Sequence, residues 1–333
     1  MGAVDVMVAR WGAVRLAKAV RESCGGPQPF AQACLTSRYR NAAAMTDPSQ
    51  PAPPSRIRAL QHPLDRVLYH PLADRLARRL ARTCATPTMV SIAGGLAVAL
   101  AGVAYIQPWW PWSVLAGLLI HMSWHVLDGA DGALARLTGR AGPAGEAIDG
   151  ACDYAGHAAL YLTLAIAWFD RTGWWIFALG TAAAASRIVQ ANFYEVRRRQ
   201  FMAWVHGVPW LRSTEPGAAV PLGGLVRAYL WLAGMLTPDD RRIDRLVADP
   251  VHGAQARAAL AALGPARLSG SALLGANIRT LALGAAMAAG SPVWYFLYEI
   301  VVLNIVLVLA IRRSTRALDA IRPAGQAAAS TLR

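Results

Sequence analysis

The chain has 333 residues, of which 55% are hydrophobic and only 16% charged, and its formal net charge is +14. The apolar residues cluster into long runs, which excludes an ordinary soluble domain. The basic residues flank those runs and do not interleave with aromatics on a polar surface, which excludes nucleic acid as a partner and points to anionic lipid headgroups.

In chain order, residues 1–54 read as a disordered tail. Residues 46–54 are Thr-Asp-Pro-Ser-Gln-Pro-Ala-Pro-Pro, too rich in turn formers to pack, and Met45 just before them is a candidate start. Residues 55–87 form the next unit. There Leu64, Val67, Leu68, Leu72, Leu76 and Leu80 recur with helical period and arginines lie opposite, as in an amphipathic helix lying along a membrane surface. Six apolar segments follow, at 88–106, 111–134, 146–168, 173–195, 271–289 and 293–311. Each is near the roughly 20 residues that cross a bilayer as a helix. The expected fold is therefore an all-α integral membrane protein with about six transmembrane helices, four within 88–199 and two within 271–312.

Residues 200–270 read as a cytoplasmic helical insertion. Its apolar run 218–236, interrupted by Arg227, reads as a re-entrant or surface helix, because a seventh span would carry the C-terminal arginines outside. Asp239-Asp240-Arg241-Arg242 and the Ala-rich run 254–262 complete it, and residues 313–333 form a second tail. Cys24, Cys34, Cys84 and Cys152 have no paired metal-ligand spacing and read as free thiols.

Orientation follows from the arginines. Arg66, Arg75, Arg78, Arg79 and Arg82 precede the first span; Arg136 and Arg140 follow the second, Arg197, Arg198 and Arg199 the fourth, and Arg312, Arg313 and Arg316 the sixth. With six spans all four groups lie on one side, which is then cytoplasmic. The opposite connections carry Trp109, Trp110, Trp112, Trp174, Trp175 and Trp294, an aromatic belt. This places the chain as a multi-pass protein of the inner (cytoplasmic) membrane.

One stretch carries the chemistry. It reads Asp128-Gly-Ala-Asp131-Gly132-Ala-Leu-Ala135-Arg136, then eight residues, Gly145, three residues, Asp149, three residues, Asp153. The acids are spaced i,i+3 and i,i+4, so each pair lies on one helix face and two such faces can share a cation. A charged carboxylate is unfavourable by roughly 2.5–3.5 kcal/mol at a bilayer centre, so four together need a counter-charge. Mg²⁺ and Mn²⁺ prefer such oxygens and are commonly shared with substrate phosphates. Arg136 adds a permanently charged phosphate ligand. Gly132, Ala135 and Gly145 remove bulk, letting a ligand or a neighbouring helix approach the backbone. Asp128 lies roughly 24 Å beyond Trp112 at 1.5 Å per residue, near the inner face, and Asp149 re-enters at a similar depth. Phosphoryl transfer at a cavity open to the cytoplasm is the implied chemistry.

Other polar residues fall in the spans. His121, His125, Asp128 and Gly132 share one helix face, and His157 is one turn after Asp153. His125 and His157 either support an aspartate ligand by a hydrogen bond or satisfy a buried carbonyl; His121 reads as the latter. Arg187 and Arg279 need partners within the spans, with Glu195 and Glu299 as candidates.

The spacing D-x2-D-G-x2-A-R-x8-G-x3-D-x3-D is met at all eight fixed positions, and in this 128–153 span the chain resembles the CDP-alcohol phosphotransferase (CDP-alcohol phosphatidyltransferase) family. The resemblance implies transfer of a phosphoalcohol from a CDP-alcohol to an acceptor hydroxyl with release of CMP. It implies that Asp128, Asp131 and Asp149 hold divalent ions, two in number, and that Asp153 lies at the metal site and is the general base. Gly132, Ala135, Arg136 and Gly145 would frame the CDP moiety, and Arg187 or Arg279 would meet a phosphate on the acceptor if not ion-paired. The usual bacterial arrangement has CDP-diacylglycerol as donor and a polar alcohol as acceptor; the reverse, a CDP-linked headgroup passed to diacylglycerol or ceramide, uses the same motif. A homodimer is left open. From a different class, a divalent-cation transporter would account for the acids but not for Gly132, Ala135, Arg136 and Gly145.

Overall fold

The computed structural model describes residues 61–208, 223–238, 240–269 and 272–321, all within the second of the two units into which the chain divides, Pro51–Arg333. The expected tail 1–54 lies outside the described residues. Among those described the fold is all-helical, with no strand.

A π-helical turn, Asp65–Tyr69, leads into α1, His70–Leu80. The long helices follow: α2 (Pro87–Tyr105), α3 (Trp112–Leu137), α4 (Pro143–Thr172) and α5 (Trp175–His206). Next come α6 (Gly223–Leu236), α7 (Asp240–Ala248), α8 (Gly253–Leu263), α9 (Pro265–Ser269) and α10 (Ala276–Ala288). The last helix, α11, runs Val293–Asp319 with a π-helical turn at Tyr298–Val302. Local chemistry sets several boundaries. Thr86 caps α2 by accepting the Met89 N–H on its hydroxyl at 3.2 Å, with Pro87 at the first helical position. Gly173, at φ 70°, reverses the chain between α4 and α5, a conformation that favours glycine.

By length and apolarity alone two helices among the described residues, α2 and α11, qualify as membrane-crossing, and the all-helical architecture fits a membrane protein. The fifth segment is shorter than the expected 271–289: α10 covers only Ala276–Ala288, because Gly275 is extended and residues Ala272–Leu274 form a 3-10 turn. In the other direction α5 and α11 run well past the expected limits of 195 and 311. Charge marks where an apolar run stops, but backbone hydrogen bonding does not stop with it.

The overrunning ends carry the short helices α7, α8 and α9. Ile243, Leu260 and Leu268 of α7, α8 and α9 bury against Phe201 and Trp204 of α5 and against Leu318 and Ile321 at the end of α11. Trp204 donates its indole N–H to Asp244 at 2.7 Å, and Arg242 donates to the carbonyls of Leu318 and Ile321, closing the α11 C-terminus. The run read as a re-entrant or surface helix is α6. Asn192 of α5 donates to the Tyr229 carbonyl there, while Trp231 and Met235 are exposed.

α1 also packs against the long helices, through its alanines. Its buried face is Ala73 and Ala77, set against Val90 of α2 and Ala130, Ala133 and Leu134 of α3, while Leu72, and Val67 and Leu68 in the turn before it, stay exposed. Small side chains win this face because the backbones come close: a Cβ at Gly129 would lie 3.0 Å from the Ala73 Cβ. Of the leucine stripe, Leu64, Leu76 and Leu80 are half-buried.

The tightest crossing holds α2 against α4. A Cβ at Gly156 would lie 2.5 Å from the Gly95 carbonyl oxygen, and one at Gly95 2.7 Å from that of Cys152. Close backbone approach of this kind is how helices associate where burial from water gives no drive. Gly156→Ala is therefore expected to destabilise the protein by about 1–3 kcal/mol through overpacking. Thermal melting of the purified protein in detergent measures it, and an unchanged midpoint would contradict the close crossing.

Candidate active site

α3 and α4 both pack against α2, and the four aspartates lie on those two helices. Asp128 and Asp131 lie in the C-terminal part of α3, and Asp149 and Asp153 in the N-terminal part of α4. One carboxylate oxygen each from Asp128, Asp149 and Asp153 lies within 4.8 Å of the others, a spacing that lets one cation touch all three. Asp128 is exposed and Asp149 and Asp153 half-buried, so the cluster is reachable from outside. An all-oxygen, carboxylate-only donor set fits a hard divalent ion.

Asp131 stands apart from this trio. It is buried, accepts the Ser91 hydroxyl from α2 at 2.6 Å, and lies within hydrogen-bonding reach of the Asp149 carboxyl group. The motif's other positions are at the same surface. Arg136, exposed and one turn beyond Gly132, places its Nη1 where a Cβ on Gly132 would be only 3.4 Å away. A Cβ on Gly145 would meet no other part of the chain within 4 Å, and Ala135 is half-buried beside Arg136. Gly132 and Gly145 therefore do not serve helix packing, which is done instead by Gly95 and Gly156.

Residues 84–233 match the family model described as CDP-alcohol phosphatidyltransferase. This stretch is a CDP-alcohol phosphatidyltransferase domain. No curated protein and no solved structure matches the chain. The CDP-alcohol phosphatidyltransferase match runs from the approach to α2 into α6 and contains all four aspartates. Residues 200–233, the first part of the segment read as an insertion, lie within the match. The helices α7 to α11 lie beyond it.

The histidines do not support the aspartate carboxylates. His125 Nε2 pairs with the Thr280 hydroxyl on α10 at 3.0 Å, and His157 Nδ1 with the backbone carbonyl of Asp153 at 2.8 Å. His157 thus follows the carbonyl reading, since a residue one helical turn on from Asp153 faces that backbone oxygen and not the side chain. His121, also buried, lies 3.5 Å from Thr280. The direct partner of the motif is one the sequence reading passed over. Trp124 of α3 donates its indole N–H to Asp153 Oδ1 at 2.6 Å. It lies four residues before Asp128, on the face shared by the acids, so spacing offered a signal. Ser91 offered none, because the α2–α3 register appears only in three dimensions.

Arg187 and Arg279 meet, but on a glutamate of the chain. Glu299, fully buried in the π-helical turn of α11, pairs closely with Arg279 and lies 3.6 Å from Arg187. Tyr295 donates to Glu299 at 2.6 Å, Tyr161 reaches both at 3.2 Å, and Gln190 accepts from Arg279 and donates to the Glu299 carbonyl. The structural ion pair is the arrangement found. Glu195, the other candidate partner, binds Arg198 and Arg199, and Arg199 also grips Glu146, next to Gly145, at 2.6 Å.

Proposed function

We propose that this protein is a membrane transferase that moves a phosphatidyl group from CDP-diacylglycerol to the hydroxyl of a polar alcohol, releasing CMP. Carrying the reading is the convergence of Asp128, Asp149 and Asp153 from two helices, inside a CDP-alcohol phosphatidyltransferase domain. The acceptor oxygen bonds to the β-phosphorus of the donor, the bond from that phosphorus to the CMP oxygen breaks, and the hydroxyl proton passes to Asp153. CMP leaves as the other product. Positioning and charge compensation supply most of the rate in such displacements.

Asp128, Asp131, Asp149 and Asp153 would hold Mg²⁺ or Mn²⁺, two ions for four carboxylates, whose charge offsets that of the pyrophosphate. Arg136 would bind a donor phosphate in its bidentate fork. Gly132, Ala135 and Gly145 leave the backbone open to the CDP group. The site would face the cytoplasm from a six-span bundle of the inner membrane, with α1 along its inner surface and α7 to α9 capping it.

The test is CMP release from membranes supplied with CDP-diacylglycerol and a panel of alcohols, set beside CDP-choline with diacylglycerol. Chelation with EDTA is expected to abolish release, and added Mg²⁺ or Mn²⁺ to restore it. Release only from CDP-choline would reverse the roles of lipid and headgroup. Metal flux without CMP would make the protein a transporter.

A further inference from the structure

Trp124 is 5% exposed, and its indole N–H reaches across from α3 to α4 to meet Asp153 Oδ1 at 2.6 Å. Tryptophan only donates, so this bond has a single polarity, and a short bond to a carboxylate is stronger than one between neutral groups. The ring cannot swing away. The His125 ring packs at 4.5 Å and the His157 ring edge-on at 4.8 Å, and on the α2 side a Cβ at Gly94 would touch the indole at 3.4 Å. His157 in turn is tied to the Asp153 carbonyl, so one turn of α4 fixes both the carboxylate and the ring that holds it.

We propose that Trp124 is a positioning residue for the transfer reaction: by fixing one oxygen of Asp153 it turns the other toward the acceptor hydroxyl. This rests on the reading of Asp153 as the proton acceptor. A merely structural indole would use Asp153 as a convenient partner for its own buried N–H. The two roles separate in the kinetics, since a positioning bond matters when the proton moves, whereas a packing defect weakens binding and the fold together.

Trp124→Phe keeps an aromatic ring and removes the donor. In the full chain, assayed with whichever donor and acceptor pair gives CMP with the wild type, kcat is expected to fall by about 10–100-fold. KM for the donor should stay within about threefold of wild type, because ground-state contacts are untouched. The sulfur isostere benzothienylalanine at position 124 keeps the bicyclic shape without the N–H. It is expected to give the same fall with an unchanged melting temperature, and it carries the test if the phenylalanine variant does not fold. A kcat near wild type in the isostere would overturn the proposal, as would a fall matched by a rise in KM. No CMP from the wild type with any pair would reject the transferase reading itself and this inference with it.

Discussion

Asp153→Asn is expected to lower the rate of CMP release by about 10²–10⁴-fold, the range over which a positioned proton acceptor contributes. The substitution is nearly isosteric, and its carboxamide oxygen can still accept the Trp124 N–H now held by Oδ1. Packing around α4 is therefore preserved while the negative charge is lost. That charge has two uses in the proposed reaction, to take the hydroxyl proton and to complete the Asp128–Asp149–Asp153 cluster. The assay is CMP formation in membranes at matched protein level. Lipid profiling of cells carrying the variant would show which phospholipid falls, and so name the product. Activity within a few-fold of wild type would remove Asp153 from the chemistry.

The second large effect is on stability. Glu299→Gln should destabilise the fold by about 3–5 kcal/mol, the usual consequence of removing one member of a buried charge pair. Glu299 is fully buried, with Arg279 paired closely and Arg187 at 3.6 Å, so the variant would leave two guanidinium groups facing a neutral amide. Tyr161 and Tyr295 would lose the charge they donate to. The effect should exceed that of Arg187→Met, since Arg187 is the more distant partner and its side chain is 12% exposed. Thermal or denaturant unfolding in detergent measures both variants. Equal stability of wild type and Glu299→Gln would mean that these arginines do not depend on Glu299.

The acidic motif was legible residue by residue, because i,i+3 and i,i+4 spacings map directly onto a helix face. Long helices were legible from apolar runs, and the short helices after residue 239 from their mixture of charge and alanine. Their ends were less so. α5 and α11 continue beyond the apolar runs, and α10 is cut short at Gly275, a break that composition does not mark. On α1 the leucine periodicity carried no sign of the alanine face, Ala73 and Ala77, that packs against α2 and α3. Hydrophobicity ranks leucine above alanine, but in lipid-facing surroundings the closely packed face goes to the residues that let backbones touch.

What the sequence determined by itself was the set of groups: four carboxylates, an arginine and three small residues at spacings that local helix geometry converts into two reactive faces. Tertiary structure decided which groups meet across helices. It joined Trp124 to Asp153, Ser91 to Asp131, and both Arg187 and Arg279 to Glu299. The physical reason is range. Periodicity along one helix follows from 3.6 residues per turn, whereas register between helices is set by where glycines such as Gly95 and Gly156 allow two backbones to touch, and that is a property of the pair.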